Sequence, residues 1–327
     1  MIMFTGSIPP LAISGRCHGQ PGSQRFGRWS ALLAGCSLLA LAPALAAEPV
    51  AGQSYFGATR YVEYMAGDLP IVIAVPHGGR LTPDTLPKRK DGVSVTDSNT
   101  QELAKALAEE LRAKTAGHAY VILSHLQRSR LDPNREIMEA AQGHEAAEAA
   151  WREFHGRIEA ALTAAVARYG FAFFIDLHGH AHPIARLELG YGVSAAQLNR
   201  DDAALDADGL AKKSSLRDLH AAKGGSGAAL LRGPASLGAR LSELGLRAVP
   251  SPADPGPGNN PYFSGGYTMQ RHAAAQETTK VDGLQIETPR VGVRDTAANR
   301  ARFARITAEA LLIFLRENYG FDPARKH

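Results

Sequence analysis

The stretch that decides the fold is FAFFIDLHGHAH, residues 171–182, in which an apolar run ends in three alternating histidines. The run FAFFIDL (171–177) is short, aromatic and β-branched, which is typical of a strand buried on both faces. Three other apolar runs have the same character. They are LPIVIAV (69–75), AYVIL (119–123) and LQIE (284–287). Four such runs predict a buried sheet.

Helical segments separate these strands along the chain. Leucine recurs every fourth residue in 100–114, after a polar cluster at 96–99 that can cap a helix. Long amphipathic stretches occupy 145–169, which is closed by a glycine, and 297–318. Strands that alternate with helices predict an α/β domain with a mostly parallel sheet, here one domain over residues 50–325.

Two shorter segments complete this prediction. RLELG (186–190) alternates apolar and polar residues, which favours an edge strand. Residues 205–245 are mixed and mostly helical in pattern, and 251–261 form a loop rich in proline and glycine.

The N-terminal region has the features of a secretory signal peptide. An apolar stretch, 29–47, follows Arg25 and Arg28 and ends in small residues at 44–46. We therefore expect residues 1–46 to be a signal peptide and the mature chain to be exported, either periplasmic or secreted. The stretch is marginal as a membrane span, which needs about 20 residues, and we expect no span in the mature chain.

Other interpretations of this leader remain open. A retained anchor, an organelle transit peptide and a misassigned start are less favoured. Leu33–Cys36 resembles a lipoprotein cleavage box, but the residues after Cys36 are apolar where the mature end of a lipoprotein is usually polar.

Composition narrows the chemistry of the mature chain. Cys17 and Cys36 are the only cysteines and both lie in the leader, so disulfides, thiolate zinc sites and cysteine nucleophiles are excluded after cleavage. Any metal must then be held by His, Asp or Glu. The net charge is +4, and three of the 36 basic residues, but no acidic residue, lie in the leader. The remaining 33 basic and 32 acidic residues do not support a nucleic-acid-binding face.

Charged and imidazole side chains follow all four predicted strands, at the carboxyl ends where parallel sheets bind ligands. In chain order they are His77, Arg128, Arg130, Asn134, Arg135, His178, His180, His182 and Glu287. Each alone is common in hydrogen-bonded loops or on solvated faces. A hydrolytic zinc site, however, needs three protein ligands and an open position for water, and two histidines and a carboxylate suffice as the ligands. A separate carboxylate must accept the proton of the water, and Glu287 suits that role.

Six segments, in order, are similar to motifs of the N-formylglutamate amidohydrolase family. They are VPHGGR (75–80), TDSNT (96–100), RSRLDPNRE (128–136), FIDLHGHAH (174–182), YFSGGYT (262–268) and LQIETPR (284–290). The resemblance covers about two thirds of the chain. It implies a fold of the zinc carboxypeptidase type, a mixed sheet with helices on both faces and one zinc ion at the strand ends.

The resemblance also implies roles for individual residues. His77 and His178 correspond to zinc ligands and Glu287 to the general base. Arg128 corresponds to the arginine beside the scissile carbonyl. Asn134 and Arg135 correspond to the pair that binds a substrate carboxylate, with Arg130 nearby. Tyr267 corresponds to a residue that closes over the substrate.

The third zinc ligand departs from the carboxypeptidase pattern. Carboxypeptidases place a glutamate three residues after the first histidine, and Arg80 occupies that position here. Asp97, at the head of the next helix, is the favoured substitute, and His180 is the alternative. Asp97 could also serve only as a helix cap.

The resemblance implies a zinc-dependent amidohydrolase that cleaves an N-acyl amino acid such as N-formylglutamate, or a small peptide. Export separates this chain from cytoplasmic histidine breakdown, so the resemblance indicates the chemistry better than the substrate. Three other functions remain open. They are an exported carboxypeptidase-like peptidase, a metal-dependent (β/α)₈ amidohydrolase, and a non-catalytic protein that binds an anionic ligand through Arg128, Arg130 and Arg135.

Overall fold

Four parallel strands form the centre of an eight-stranded mixed sheet in the computed structural model, which describes residues 48–274 and 280–324. The strands are β1 (Ser54–Phe56), β2 (Val62–Met65), β3 (Ile71–Val75), β4 (Tyr120–Ser124), β5 (Ala172–His180), β6 (Leu187–Gly190), β7 (Ala248–Val249) and β8 (Val281–Pro289). Their order across the sheet is β1-β2-β4-β3-β5-β8-β6-β7. Strands β4, β3, β5 and β8 run parallel, and β2 and β6 flank them as antiparallel neighbours. The predicted fold class, an α/β fold with a mixed and mostly parallel sheet, is confirmed.

The central strands lie where the apolar runs predict them, but two are longer than expected. The strand predicted over 171–177 extends to His180, and the strand predicted over 284–287 spans Val281–Pro289. Their polar ends remain in the sheet because β5 and β8 pair with each other along their full length. His178 and His180 therefore belong to a strand and do not follow it in a turn.

The outer strands are less visible in the sequence. Strands β1, β2 and β7 are short and were not predicted. The segment 186–190 does form a strand, β6, but its prediction as an edge strand is wrong. It lies between β8 and β7, because the two-residue strand β7 pairs with its outer side.

Helices cover both faces of the sheet. They are α1 (Thr100–Thr115), α2 (Ile137–Ala141), α3 (Glu145–Tyr169), α4 (Ala195–Leu198), α5 (Asp202–Ala207), α6 (Leu210–Lys213), α7 (Arg217–Lys223), α8 (Gly227–Arg232), α9 (Leu237–Glu243), α10 (Tyr267–Met269) and α11 (Ala297–Tyr319). Helices α1 and α11 share a core with one face of the central strands, including Ile73 and Phe173. Helix α3 packs on the opposite face, against Val72 and Phe174. Odd and even strand positions thus enter two separate cores.

The described residues belong to one unit, Glu48–His327. Within them, no helix is both long enough and apolar enough to cross a membrane. The predicted signal peptide, residues 1–46, lies outside the described residues, so it and the domain boundary at residue 50 remain predictions.

A buried carboxyl group lies at the amino end of β8, far along the strand from its polar carboxyl end. Asp282 is 2% exposed and accepts hydrogen bonds from the backbone nitrogens of Asp218 and Leu219, at 3.1 and 2.9 Å, and from the Tyr319 hydroxyl at 3.0 Å. Burial raises the pKa of Asp282 to about 7, and the hydrogen bonds only partly oppose this shift.

This raised pKa predicts a pH-dependent stability. Asp282 binds its proton more tightly in the folded chain, so its contribution to the free energy of unfolding is full below pH 4 and falls as the pH rises to about 7. The loss is at most roughly 4 kcal/mol. We expect Asp282→Asn to remove this part of the slope in urea titrations between pH 4 and 8, whereas the exposed control Asp84→Asn should keep it. An unchanged slope in Asp282→Asn would contradict the assignment.

Candidate active site

The strand-end residues lie along one edge of the sheet, because the four central strands end there together. His77 comes two residues after β3, and His178 and Glu287 lie near the ends of β5 and β8. Asp97 precedes α1 and reaches the same edge, where the backbone nitrogen of Gly179 donates to its carboxylate at 3.1 Å. All four of these predicted site residues are buried.

Two imidazoles converge on one carboxylate oxygen at this edge. The Nδ1 atoms of His77 and His178 lie 3.5 and 3.3 Å from Oδ2 of Asp97. The two rings meet edge to face, with centroids 4.7 Å apart. Ligands that surround zinc tetrahedrally at about 2.0–2.1 Å are separated by about 3.4 Å. The two nitrogen–oxygen separations therefore match those expected around one zinc ion.

A second carboxylate stands behind each imidazole. Nε2 of His77 lies 2.6 Å from Oδ1 of Asp132, and Nε2 of His178 lies 2.9 Å from Oδ1 of Asp176. Asp132 and Asp176 are fully buried. Carboxylates in this position fix the ring orientation of metal-binding histidines and increase their basicity. Each imidazole thus turns Nε2 to a carboxylate and Nδ1 to the space beside Asp97.

The charges of this group are strongly coupled. Burial alone would raise the pKa of Asp97, but hydrogen bonds and charge interactions with His178 and His77 hold it well below its ordinary value. Burial would likewise lower the pKa of His178, yet Asp176 and Asp97 raise it well above the ordinary value. The carboxylates around His178 thus favour its positive charge, and a metal that bound Nδ1 would take the place of a proton there.

The donor set fits a divalent metal. His77, Asp97 and His178 each offer one ligand atom, and these atoms all lie within 4.8 Å of one another. Nδ1 of His77 is buried and has no hydrogen-bond partner, which is unusual for a polar atom in a protein interior. Two imidazole nitrogens and one carboxylate oxygen are a common set for zinc in hydrolases.

Glu287 lies directly beside this group. It pairs with His178 across β5 and β8 and is buried. Oε1 accepts a hydrogen bond from Nε2 of Gln285 at 2.8 Å, and Oε2 is buried without a partner. Burial, reinforced by Asp97 and other nearby carboxylates, raises the pKa of Glu287 to about 8. One oxygen of the carboxyl group is thus fixed and the other is left for a ligand.

The first predicted arginine lies close to the site. Nε of Arg128 donates to Oδ2 of Asp132 at 2.9 Å, so Arg128 and His77 are joined by one carboxylate. The terminal nitrogens of Arg128 have no hydrogen-bond partner in the described part of the chain. Arg130 instead donates to the Leu86 carbonyl oxygen.

The predicted carboxylate-binding pair separates in the structure. Asn134 is buried, and its side-chain oxygen accepts a hydrogen bond from the backbone nitrogen of Thr268 at 2.8 Å. The side chain of Arg135 is one-third exposed and forms an ion pair with Glu139 at 2.9 Å. Asn134 therefore serves the packing of a loop, and Arg135 has an acidic partner within the chain.

The Gly-Gly-Tyr segment crosses this face of the sheet. The backbone nitrogen of Gly266 donates to Oε1 of Gln285 at 2.6 Å, which ties the segment to the partner of Glu287. A Cβ atom at Gly266 would lie 2.4 Å from the side chain of Asn134, so glycine is needed there. Tyr267 itself contacts Arg271 and Trp151 and lines a cavity of about 810 Å³ beside α3. Among the described residues, the Tyr267 side chain has no hydrogen bond or ring contact with the His77–Asp97–His178 group.

His180 belongs to a neighbouring cluster. Its Nδ1 accepts from the backbone nitrogen of His182 at 3.0 Å, and its Nε2 donates to the carbonyl oxygen of Arg186 at 2.9 Å. His182 in turn contacts Glu188, with 2.8 Å between Nδ1 and Oε1. Because both ring nitrogens of His180 are engaged, Asp97 is the better third ligand on geometry.

Several buried polar residues of this edge were not assigned roles from the sequence. They are Arg89, Asp132, Asp176, Arg186, Glu188, Gln285 and Arg294. The sequence could have indicated two of them, because Asp176 and Gln285 lie two positions before His178 and Glu287. Residues two apart in a strand face the same side of the sheet. Arg89 lies in a loop and Arg294 ends a short π-helical segment, Arg290–Arg294, and the strand period applies to neither.

Comparison with known proteins gives a likeness of fold at low sequence identity. No protein-family profile and no curated protein sequence matches the chain. Among solved structures, it is similar to an N-formylglutamate amidohydrolase from Ralstonia eutropha JMP134, with 15% identity, a TM-score of 0.49, and coverage of 78% of this chain and 95% of that one. It is also similar to gene product Atu2144 from Agrobacterium tumefaciens, with 15% identity, a TM-score of 0.47, and coverage of 79% of this chain and 95% of that one. A bacteriophage poly-gamma-glutamate hydrolase matches with 15% identity, a TM-score of 0.35, and coverage of 80% of this chain and 90% of that one.

The carboxylate behind His178 gives a test of the metal group. We expect Asp176→Asn to lower zinc affinity by about 10–100-fold, because a neutral amide supports the imidazole less well than a carboxylate. Competition with a chromogenic chelator measures this affinity. Asp208→Asn, on an exposed ion pair, is the matched control. Equal affinities of Asp176→Asn and wild type would show that Asp176 does not support a metal ligand.

Proposed function

We propose that the chain is a metal-dependent hydrolase that cleaves the amide C–N bond of an N-acyl amino acid, such as N-formylglutamate, or of a small peptide. The observation that carries this proposal is the convergence of His77, His178 and Asp97 beside Glu287. A binding protein without catalytic activity would have no need for a buried carboxyl group with a free oxygen next to a metal group. The sequence motifs support the N-acyl amino acid as the substrate class.

His77, Asp97 and His178 would hold the metal, and zinc suits these donors best. Bound zinc supplies a water whose pKa is lowered to about 7 and polarises the carbonyl oxygen of the substrate. The chain positions these donors from the side away from the metal at the two histidines, because Nε2 of His77 is hydrogen-bonded to Asp132 and Nε2 of His178 lies in an ion pair with Asp176. The backbone nitrogen of Gly179 donates to Oδ2 of Asp97, the same oxygen that the two imidazoles approach.

Glu287 is the proposed general base. Its free Oε2 lies on the same face as His178, and its other oxygen is fixed by Gln285. A carboxyl group whose pKa is raised to about 8 by burial accepts and returns a proton readily near neutral pH. Glu287 would take a proton from the attacking water and deliver it to the leaving amine.

Arg128 is the proposed electrostatic partner of the carbonyl. Asp132 holds its Nε, so its terminal nitrogens can donate to the oxygen that becomes negative as the amide is attacked. One oxygen of Asp132 orients His77 and the other orients Arg128. This shared carboxylate would couple the position of the metal to that of the oxyanion donor.

We also propose that the mature protein acts outside the cytoplasm. The leader of residues 1–46 supports this, because Arg25 and Arg28 precede an apolar core that ends in small residues before Glu48. N-terminal sequencing of the protein recovered from the periplasm or medium should begin after Ala46.

Substitution of the base gives the most direct test of the reaction. Glu287→Gln should lower kcat for N-formyl amino acids by about 10²–10⁴-fold, because the amide cannot accept the proton of the water. Zinc content should remain, since Glu287 is not among the three ligands. Steady-state kinetics and metal analysis of the same preparation measure the two effects.

The exposed Glu309→Gln serves as a control, because that residue lies in a surface ion pair with Lys114. Wild type should be assayed on N-formyl, N-acetyl and peptidyl amino acids, loaded with zinc and after chelation. Full activity of a folded, zinc-loaded Glu287→Gln would rule out the base assignment. Activity that survives complete chelation would rule out the metal.

A further inference from the structure

A buried arginine without a partner stands at the same edge of the sheet. Arg186 is 3% exposed, and its Nε and Nη2 are buried with no hydrogen-bond partner. No ion pair joins it to any residue in 48–274 or 280–324. An unpaired charge in a protein interior is strongly unfavourable, so its presence needs an explanation.

Other buried arginines of the described chain have at least one acceptor. Arg89 donates through Nη1 to the carbonyl oxygens of Val93 and Arg128, although its Nε and Nη2 are without a partner. Arg232 donates to Asp202 and to the carbonyl oxygens of Leu198, Pro255 and Arg200. Arg294 donates to three carbonyl oxygens, those of Thr288, Ser98 and His180. Arg186 differs from these three arginines because its side chain has no acceptor among the described residues.

Two carboxylates that could pair with Arg186 are already engaged, that of Asp254, with which its charge interacts, and that of Glu188, two residues further along the chain. Both oxygens of Asp254 accept from Arg247, at 2.7 Å each. Arg247 is the main reason that the pKa of Asp254 lies below its ordinary value, and Arg186 adds only a smaller charge effect. Both oxygens of Glu188 are also occupied, by Nδ1 of His182 and the backbone nitrogen of Phe263, each at 2.8 Å. Arg186 therefore retains donors for an acceptor from outside the chain.

The position of Arg186 relates it to the candidate active site. It immediately precedes β6, whose Glu188 pairs with Glu287, which in turn pairs with His178. Strand β6 lies two strands from β5, about 10 Å at the usual strand spacing. Arg128 follows β4, on the opposite side of His178. A small substrate held at the metal could therefore extend toward Arg186 on the side away from Arg128.

We infer that Arg186 binds a carboxylate of the substrate and makes this site selective for anionic N-acyl amino acids. The inference rests on the proposed hydrolase function. A planar guanidinium group with free donors matches a carboxylate in shape and charge. Arg186 thereby takes the anion-binding role that the sequence assigns to Arg135, whose guanidinium group pairs with Glu139.

The test compares matched substrates on matched variants. N-formylglutamate, its γ-amide N-formylglutamine and its α-amide differ only in which carboxylate is present. Arg186→Met should lose about 10²–10³-fold in kcat/KM on the substrates that carry the recognised carboxylate, and little on the amide that lacks it. The wild type shows which carboxylate Arg186 binds. It is the one whose replacement by an amide lowers kcat/KM of the wild type. Arg200→Gln, an exposed arginine, should behave as wild type.

Stability separates a binding role from a structural one. Removal of an unpaired buried charge should leave the melting temperature of the ligand-free protein unchanged or raise it. A structural role predicts a lower melting temperature. Equal loss on all three substrates, no loss on any, or a destabilised Arg186→Met would overturn the inference.

A binding measurement distinguishes failure of this inference from failure of the proposed function. If zinc-loaded wild type hydrolyses none of the substrates, the hydrolase proposal fails. Glutarate, used as a probe, should still raise the melting temperature of wild type and not that of Arg186→Met. No stabilisation of wild type by glutarate would overturn the carboxylate site itself.

Discussion

The parallel pairing of β5 with β8 is the constraint on which the candidate site depends. The pairing runs over nine residues of each strand, from Ala172 opposite Val281 to His180 opposite Pro289. Because side chains alternate between the two faces of a sheet, a slip of one residue would carry Glu287 to the opposite core. The metal group and the base are therefore placed relative to each other by a backbone ladder between two long strands, which is more rigid than a loop.

The same edge of the sheet collects an excess of buried negative charge. Asp97, Asp132 and Asp176 surround two histidines, and Glu287 adds a fourth carboxyl group. Carboxylates are rarely buried in such number unless cations compensate them. Asp176 and Asp97 raise the pKa of His178, whereas the pKa of Glu287 is raised chiefly by burial, with Asp97 and other carboxylates adding to the shift. A divalent cation bound here would compensate the carboxylates, and it would replace the proton of any ligand atom that carries one.

The sequence predicts the centre of the fold better than its margins. The runs in β3, β4, β5 and β8 are buried on both faces, so their apolar composition is unambiguous. The outer strands β1, β2 and β7 have two to four residues and are set by pairing with distant segments, which leaves little local signal. The end of β5 was misjudged for a related reason. The residues after Leu177 are polar, and only the pairing with β8 keeps them extended.

The sequence likewise predicts the positions of some residues of the candidate site better than others. It places His77, His178 and Glu287 at one edge of the sheet because the end of a strand fixes where its side chains lie. Arg135 and Tyr267 could not, since their neighbours, Glu139 and Arg271, are decided by the path of a loop. Asp176 was overlooked although it lies within an apolar run, where a buried carboxylate is unusual and therefore informative.

Gly179, between His178 and His180, allows Arg294 to pack closely against strand β5. Arg294 donates to the carbonyl oxygens of Ser98, His180 and Thr288, one on each of the segments that carry Asp97, His178 and Glu287. A Cβ atom at Gly179 would lie 2.3 Å from its guanidinium carbon. Gly179 is thus required by the close approach of Arg294 and not by flexibility of the backbone. Through that contact a single cation, placed behind the site, holds the three segments together without competing for the metal-facing atoms.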